Sequence, residues 1–357
     1  MKSARIAALL AEREGGDPEC CAAASQPLRQ HRCRGAGPVF PRDSGPAIRR
    51  RWLAACLIFV AAVIGGCGEP AQREGAEIDV TRDYGAERIG SIRQETLAPG
   101  ETAMRLLQRD FDVETRYGGG SVQSIEGRSG GRRRGRSTDW FLYVNGIESD
   151  NKAASRRLVG GERVWWDLHD RDTVMRVPAV VGSFPEPFLT GIAGKRRPIR
   201  VDCADDADRH CDEVTARLGE AGVDAVARGQ VNGPAGAEVF RIVVGTWSKI
   251  RIDPTIRHLE REPRASGVFA RFADEGARLR LLDERGRIGA TLGSGSGLVA
   301  ATRFEGQQPT WVVTGTDSAG VAAAAAVLNE EALAQRFAVA VTEGQPVALP
   351  VRTDLAP

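Results

Sequence analysis

Charge of one sign is missing from this sequence. Across 357 residues, 49 Lys and Arg stand against 47 Asp and Glu, a net of +2. On bulk charge that excludes a strongly basic nucleic-acid binder and an acidic-tail protein. Long hydrophobic runs are missing too. The stretch WLAACLIFVAAVI at 52–64 has 13 largely apolar residues, short of the roughly 20 that a comfortable span requires, so a multi-span membrane protein is excluded. Seven cysteines in a chain this long are too few for a small disulfide scaffold, and the 42 glycines follow no collagen-like period. Catalytic signatures are absent as well. Residues 293–297 read GSGSG, with glycine where a G-x-S-x-G elbow carries its serine, and there is no H-E-x-x-H, Walker loop or G-x-G-x-x-G. Only His169, His210 and His258 follow the N-terminal region, far apart in sequence. The reading is therefore a non-enzyme, with no catalytic residue, no cofactor and no resident metal.

What is present is an ordinary globular composition, 42% hydrophobic and 27% charged, long enough for two cores of about 100–150 residues each. Arg49-Arg50-Arg51 followed by 52–64 has the charged and apolar regions of an export signal. Ile64-Gly65-Gly66-Cys67 then resembles the lipobox of bacterial lipoproteins. That resemblance implies signal residues 48–66, removed before Cys67, and a palmitate-bearing Cys67 that tethers the chain to the outer face of the cytoplasmic membrane. Residues 1–47 fall outside the fold on this reading, either as an over-called start, with an alternative codon at Val39, or as a cytoplasmic extension. Ten of the basic and five of the acidic residues lie in 1–67, which leaves 39 against 42 and a mature net charge of −3. Beyond Cys67 only Cys203 and Cys211 remain. In an oxidising compartment they read as a short-loop disulfide, with free thiols or a metal site using His210 as the alternatives. Asp205, Asp206 and Asp208 read as a solvated acidic turn, since no calcium-loop spacing surrounds them.

Residues 67–77 read as a tether and 78–170 as the first folded unit. Polar–apolar alternation gives strands at 77–83, 121–125, 139–144 and 163–168, and Thr102 is placed to cap a helix over 103–109. Asn145-Gly146 is a hairpin turn. This order is that of a small β-grasp-like sheet covered by one helix. The strings TAMRLLQ, GGGSVQSIEG, DWFLYVNG and LVGGERVWWDLHD, in that order, resemble the transcobalamin-C-terminal-like domain, a bacterial domain of unknown function; the resemblance covers 78–170. It implies an extracellular binding or adhesion module and gives only faint support to a corrinoid ligand.

Alternation puts Trp140, Leu142 and Val144 on one face of their strand and Phe141 and Tyr143 on the other, and it puts Trp165 and Trp166 on opposite faces. Trp140, Tyr143, Trp165 and Trp166 are the aromatic candidates for ligand contact, with sheet packing as the alternative. The expected ligand surface centres on Tyr143, Asn145 and Trp165, because one of two successive tryptophans must either face water or lie under a cover. The Gly127–Ser137 loop carries Arg128, Arg132, Arg133, Arg134 and Arg136. It reads as a solvated loop or as a patch for an anionic wall polymer.

Residues 171–198, rich in proline and glycine, read as a linker with one strand at 177–181. Residues 199–357 read as a separate α/β domain of unknown role. The apolar run VFRIVVGT at 239–246 marks a buried strand, and 206–218 and 318–328 mark helices. Thr314, Thr316, Asp317 and Ser318 lie between a strand end and a helix start, either a ligand position or plain N-capping. The whole is read as an α+β lipoprotein acting as a binding module for a small molecule, or alternatively as a surface structural or adhesion protein that binds wall polymer or a protein partner.

Overall fold

The computed structural model describes residues 75–352, except 134, 150–152, 206, 234, 235, 237, 262 and 305. Cys67, the signal segment and the preceding extension lie outside the described residues, as does most of the tether.

The first half of the chain builds two sheets and one helix. Ala76, Ile78 and Val80 alternate onto one buried face of β1 (Ala76–Arg82). β2 (Glu87–Gln94) returns antiparallel to it. Thr102 caps α1 (Ala103–Asp110), its Oγ1 accepting the Arg105 N–H at 3.3 Å, and Ala103, Met104, Leu106 and Leu107 give that helix its buried stripe. β3 (Val113–Arg116), β4 (Ser121–Ile125) and β5 (Arg128–Ser129) form a small three-stranded sheet. β6 (Gly131–Arg133), β7 (Arg136–Val144), β8 (Ile147–Glu148) and β9 (Arg163–Asp170) complete a six-stranded sheet ordered β2-β1-β9-β7-β6, with β8 also on β7. The first and last strands, β1 and β9, are parallel partners at its centre.

The second half is a seven-stranded sheet with helices. β10 (Ile199–Cys203), α2 (Asp208–Glu220), β11 (Val226–Gln230) and β12 (Phe240–Thr246) come first. β13 (Ala270–Ala273), β14 (Arg278–Leu282) and β15 (Ile288–Leu292) make a separate antiparallel sheet. β16 (Gly297–Thr302), β17 (Thr310–Gly315), α3 (Ser318–Ala326), β18 (Ala338–Thr342) and β19 (Gln345–Leu349) close the large sheet, ordered β11-β10-β12-β17-β16-β18-β19. Its first four members are parallel. Period-two alternation splits their side chains: Ile242, Val244, Trp311 and Val313 join α2 and α3, while Val243 and Val312 face the other way.

That other face is where the structure departs from the sequence reading. Val243, Leu298, Ala300, Val312 and Ala340 share one core with Tyr84, Phe141, Tyr143 and Trp165 of the six-stranded sheet. The described residues fall in one compact unit, not in a first domain and a separate α/β domain. Residues 171–198 are no free linker: Val174, Val177, Val180 and Phe184 are all buried. The prolines and glycines there bend the chain between residues that insert into two cores. The close approach is visible at Gly182, where a Cβ would stand 2.7 Å from both the Trp165 ring and the Arg336 backbone nitrogen. The mixed fold is mostly β.

Candidate functional site

The four residues expected at the ligand surface do not form one surface. Tyr143 is fully buried, with its ring centroid 5.5 Å from that of Trp165. Trp165 is 2% exposed, donates from Nε1 to Thr81 Oγ1 at 2.8 Å and is covered edge-on by Phe337 at 5.1 Å. The cover that two successive tryptophans demand is thus supplied from within the chain. Asn145, 1% exposed and at φ 53°, is a staple. Its Nδ2 donates to Thr190 Oγ1 and the Gly191 carbonyl, and its Oδ1 accepts the Arg163 N–H. These three serve packing and hydrogen bonding, which corrects the expected ligand surface.

Behind Trp165 lies a polar cluster that escaped the sequence reading. Asp167 and His169, two apart on β9, point to the same face and are both wholly buried. Asp167 Oδ1 accepts His169 Nδ1 at 2.8 Å and the Tyr84 N–H at 3.0 Å; Oδ2 accepts Thr81 Oγ1 at 2.5 Å and the Gly85 N–H at 2.8 Å. The imidazole is stacked between Tyr84 and Phe141, at centroid distances of 4.4 and 4.0 Å. Its Nε2 meets no partner among the described residues. An aspartate that orients a histidine is the arrangement of a general base; here both side chains are wholly buried, and through Thr81, Tyr84 and Gly85 the aspartate ties β9 to the β1 turn. The alternation D-L-H at 167–169 was the signal available for it.

Trp166 points the other way, and there a cavity opens. A partly open space of about 200 Å³ is lined by Trp140, Trp166, Leu142, Val122 and Ala153, together with Arg116, Tyr117, Asp139 and Arg171. The Trp140 indole N–H is spent on the Arg128 carbonyl at 3.0 Å, but the Trp166 indole N–H is buried with no partner among the described residues. Tyr117 is 86% exposed and held at φ 54° ahead of Gly118 and Gly119, both also at positive φ. Asp139 sits between two cations, 3.7 Å from Arg116 and 3.4 Å from Arg171. The site offers two indole rings, an exposed phenol and a charged rim. Its aromatic and polar groups are of the kind that hold one ring by stacking and hydrogen bonding.

Residues 100–170 match a domain of unknown function, DUF4430. No curated protein matches the chain. The DUF4430 stretch lies inside the segment whose motifs resemble the transcobalamin-C-terminal-like domain. It contains every cavity residue except Arg171, and it leaves out β1 and β2, which complete the sheet.

The arginine loop is more occupied than its sequence suggests. Arg136 is paired with Asp170 at 2.8 Å and with Glu284 of the second half, while Arg132 is exposed. Cys203 and Cys211 are joined as a disulfide, with a Cα separation of 6.3 Å. Asp317 caps α3 by accepting the Gly320 N–H at 2.9 Å. It also takes Ser294 Oγ and the Gly295 N–H, and these hydrogen bonds hold its carboxyl below the usual value against the opposing effect of burial. Ser318 beside it meets His210 Nε2 at 2.8 Å, a pair the sequence spacing gave no hint of. Among the described residues no helix is long and apolar enough to cross a membrane, and no cluster of three or more His, Cys, Asp or Glu is placed to hold a metal.

Proposed function

We propose that the chain is an envelope lipoprotein, tethered through Cys67 to the outer face of the cytoplasmic membrane, whose DUF4430 portion is a non-catalytic module that binds a single ring. The observation that carries this reading is the aromatic cleft of Trp140 and Trp166 with exposed Tyr117 beside it, where the buried Trp166 N–H has no partner among the described residues. Burying an indole N–H without a partner costs free energy, and a ligand acceptor would recover it. The volume bounds the ligand. Drug-sized molecules need about 300–1,000 Å³, so this cavity suits one sugar or aromatic ring and is too small to enclose a corrinoid. The parallel pairing of β1 with β9, beneath one helix, supports the β-grasp-like description.

Ligand-observed NMR with a library of single-ring fragments, N-acetylglucosamine among them, tests the reading. The hits should weaken about fivefold in Trp166→Phe, which keeps the ring and removes the donor, and by a similar factor in Tyr117→Ala. Hits that bind both variants as tightly as the parent chain would sink the proposal. The second reading, adhesion to an anionic wall polymer, is favoured by exposed Arg132 on the edge strand β6. It predicts salt-sensitive co-sedimentation with wall fragments that Arg132→Ala reduces.

A further inference from the structure

The described arginines at the seam between the two halves are mostly matched to acids. Arg136 pairs with Asp170 and Glu284, Arg163 with Glu330, and Arg82 with Glu87. Arg336 differs. It lies between the short helix Glu330–Leu333 and β18, with its backbone N–H on the Leu333 carbonyl at 3.1 Å. Its guanidinium makes no ion pair among the described residues, and Nη1 is buried with no hydrogen-bond partner. Burial holds the proton affinity of this guanidinium below its usual value, with no neighbouring acid to offset it. Arg336 is half-buried; a charge partly withdrawn from water without a counter-charge is costly, and an arginine held that way is poised for an anion.

The space beside it fits that demand. Arg336 lines a cleft of about 560 Å³, together with Arg352, Tyr84, Val347, Ala348, Pro350 and Val351. Among the described residues no Asp or Glu lines this cleft. Arg352 has Asp83 near it on the other side, so Arg336 is the principal charge. The contrast is the 540 Å³ cleft beside Gly75, where Arg93 and Arg163 already face Glu77 and Glu330. The Arg336 cleft has room for more than a bare inorganic anion, and its remaining walls are largely apolar.

We propose that this cleft binds a small organic anion, with its carboxylate or phosphate group on Arg336 and Arg352 and its apolar body against Val347, Pro350 and Val351. The site is separate from the aromatic cavity and stands whether or not that cavity takes a ring.

Calorimetric titration of the full chain with hexanoate, hexyl phosphate, hexanol and inorganic phosphate tests it. One of the two hexyl anions should bind at least about tenfold tighter than both hexanol and inorganic phosphate, and which one does so identifies the head group. Arg336→Gln should weaken that binding about tenfold, as expected for loss of a charge-assisted contact. Ala348→Glu, at an exposed wall position, should do the same by placing a carboxylate in the cleft; it carries the test if the Arg336 variant fails to fold. Hexanol binding as tightly as both anions, or unchanged anion binding in Ala348→Glu and in any folded Arg336→Gln, would overturn the proposal.

Discussion

Trp165 and Trp166 are neighbours in sequence and opposites in use. Trp166 borders a cavity, whereas Trp165 is clamped between Thr81, Tyr143 and Phe337. Trp165→Ala should therefore cost about 3–5 kcal/mol of stability, the range for truncating a large buried aromatic, as read from urea melts; a loss under 1 kcal/mol would contradict the packing described. Asp79 supplies a pH test at the same scale. Burial raises its carboxyl above the usual value, and Glu77 adds to this; hydrogen bonds from Ser91 and Gln335, and the charge of Arg88, only partly oppose it. A raised folded value means that the folded state binds a proton that the unfolded state has already released. Stability from this group therefore falls as pH rises from the ordinary carboxylate value of 3.8 through the raised one. Asp83 contributes with the same sign. Asp79→Asn should flatten this slope in melts taken from pH 3.5 upward; an unchanged slope would remove Asp79 from the account. The residue level was half legible in the sequence. Alternation assigned Trp140, Leu142 and Val144 to one face and Phe141 and Tyr143 to the other, as the two cores divide them. It could not say that Asp167 and His169 would be sealed beneath aromatic rings, because what covers a face comes from distant sequence.

Among the elements, those with a strong local signal were readable. Thr102 and Asp317 cap helices as short side chains that accept backbone N–H groups do, and the apolar run before Thr246 is a central strand. The short strands β3, β5, β6 and β8 escape a sequence reading, since two to four residues are too few to show a period. In residues 171–198 proline and glycine suggest an exposed linker, whereas the valines and phenylalanines between them decide burial. The disulfide belongs to this scale. Cys203 ends β10 and Cys211 lies in α2, with a sequence separation of 8. Closing so short a loop removes chain entropy worth about 2.5 kcal/mol from the unfolded state. The Cys203→Ala, Cys211→Ala double variant should fold with the same circular dichroism and lose roughly that much stability. A variant as stable as the parent would show that the bond adds nothing.

For the molecule as a whole, the question is whether the six-stranded sheet can stand without the second half. Its two faces answer differently. One is closed locally by α1, through Met104, Leu106 and Leu107 over Ile78 and Trp166. The other presents Tyr84, Phe141, Tyr143 and Trp165, and the residues that cover it come from Phe269, Phe337 and the seven-stranded sheet. Exposing four large side chains forgoes roughly 6–12 kcal/mol, at about 1.5–3 each. That is most of the about 5–15 kcal/mol by which a domain is stable at all. The buried polar cluster raises the cost, since His169 would lose Phe337, which meets its ring edge-on at 5.3 Å. A fragment spanning 68–170 should therefore show no cooperative melt and should bind a hydrophobic dye, while the full chain should unfold in one calorimetric transition with equal van't Hoff and calorimetric enthalpies. Two resolved transitions in the full chain, or a fragment that melts cooperatively within a few degrees of it, would mean that the shared core is an interface between independent domains.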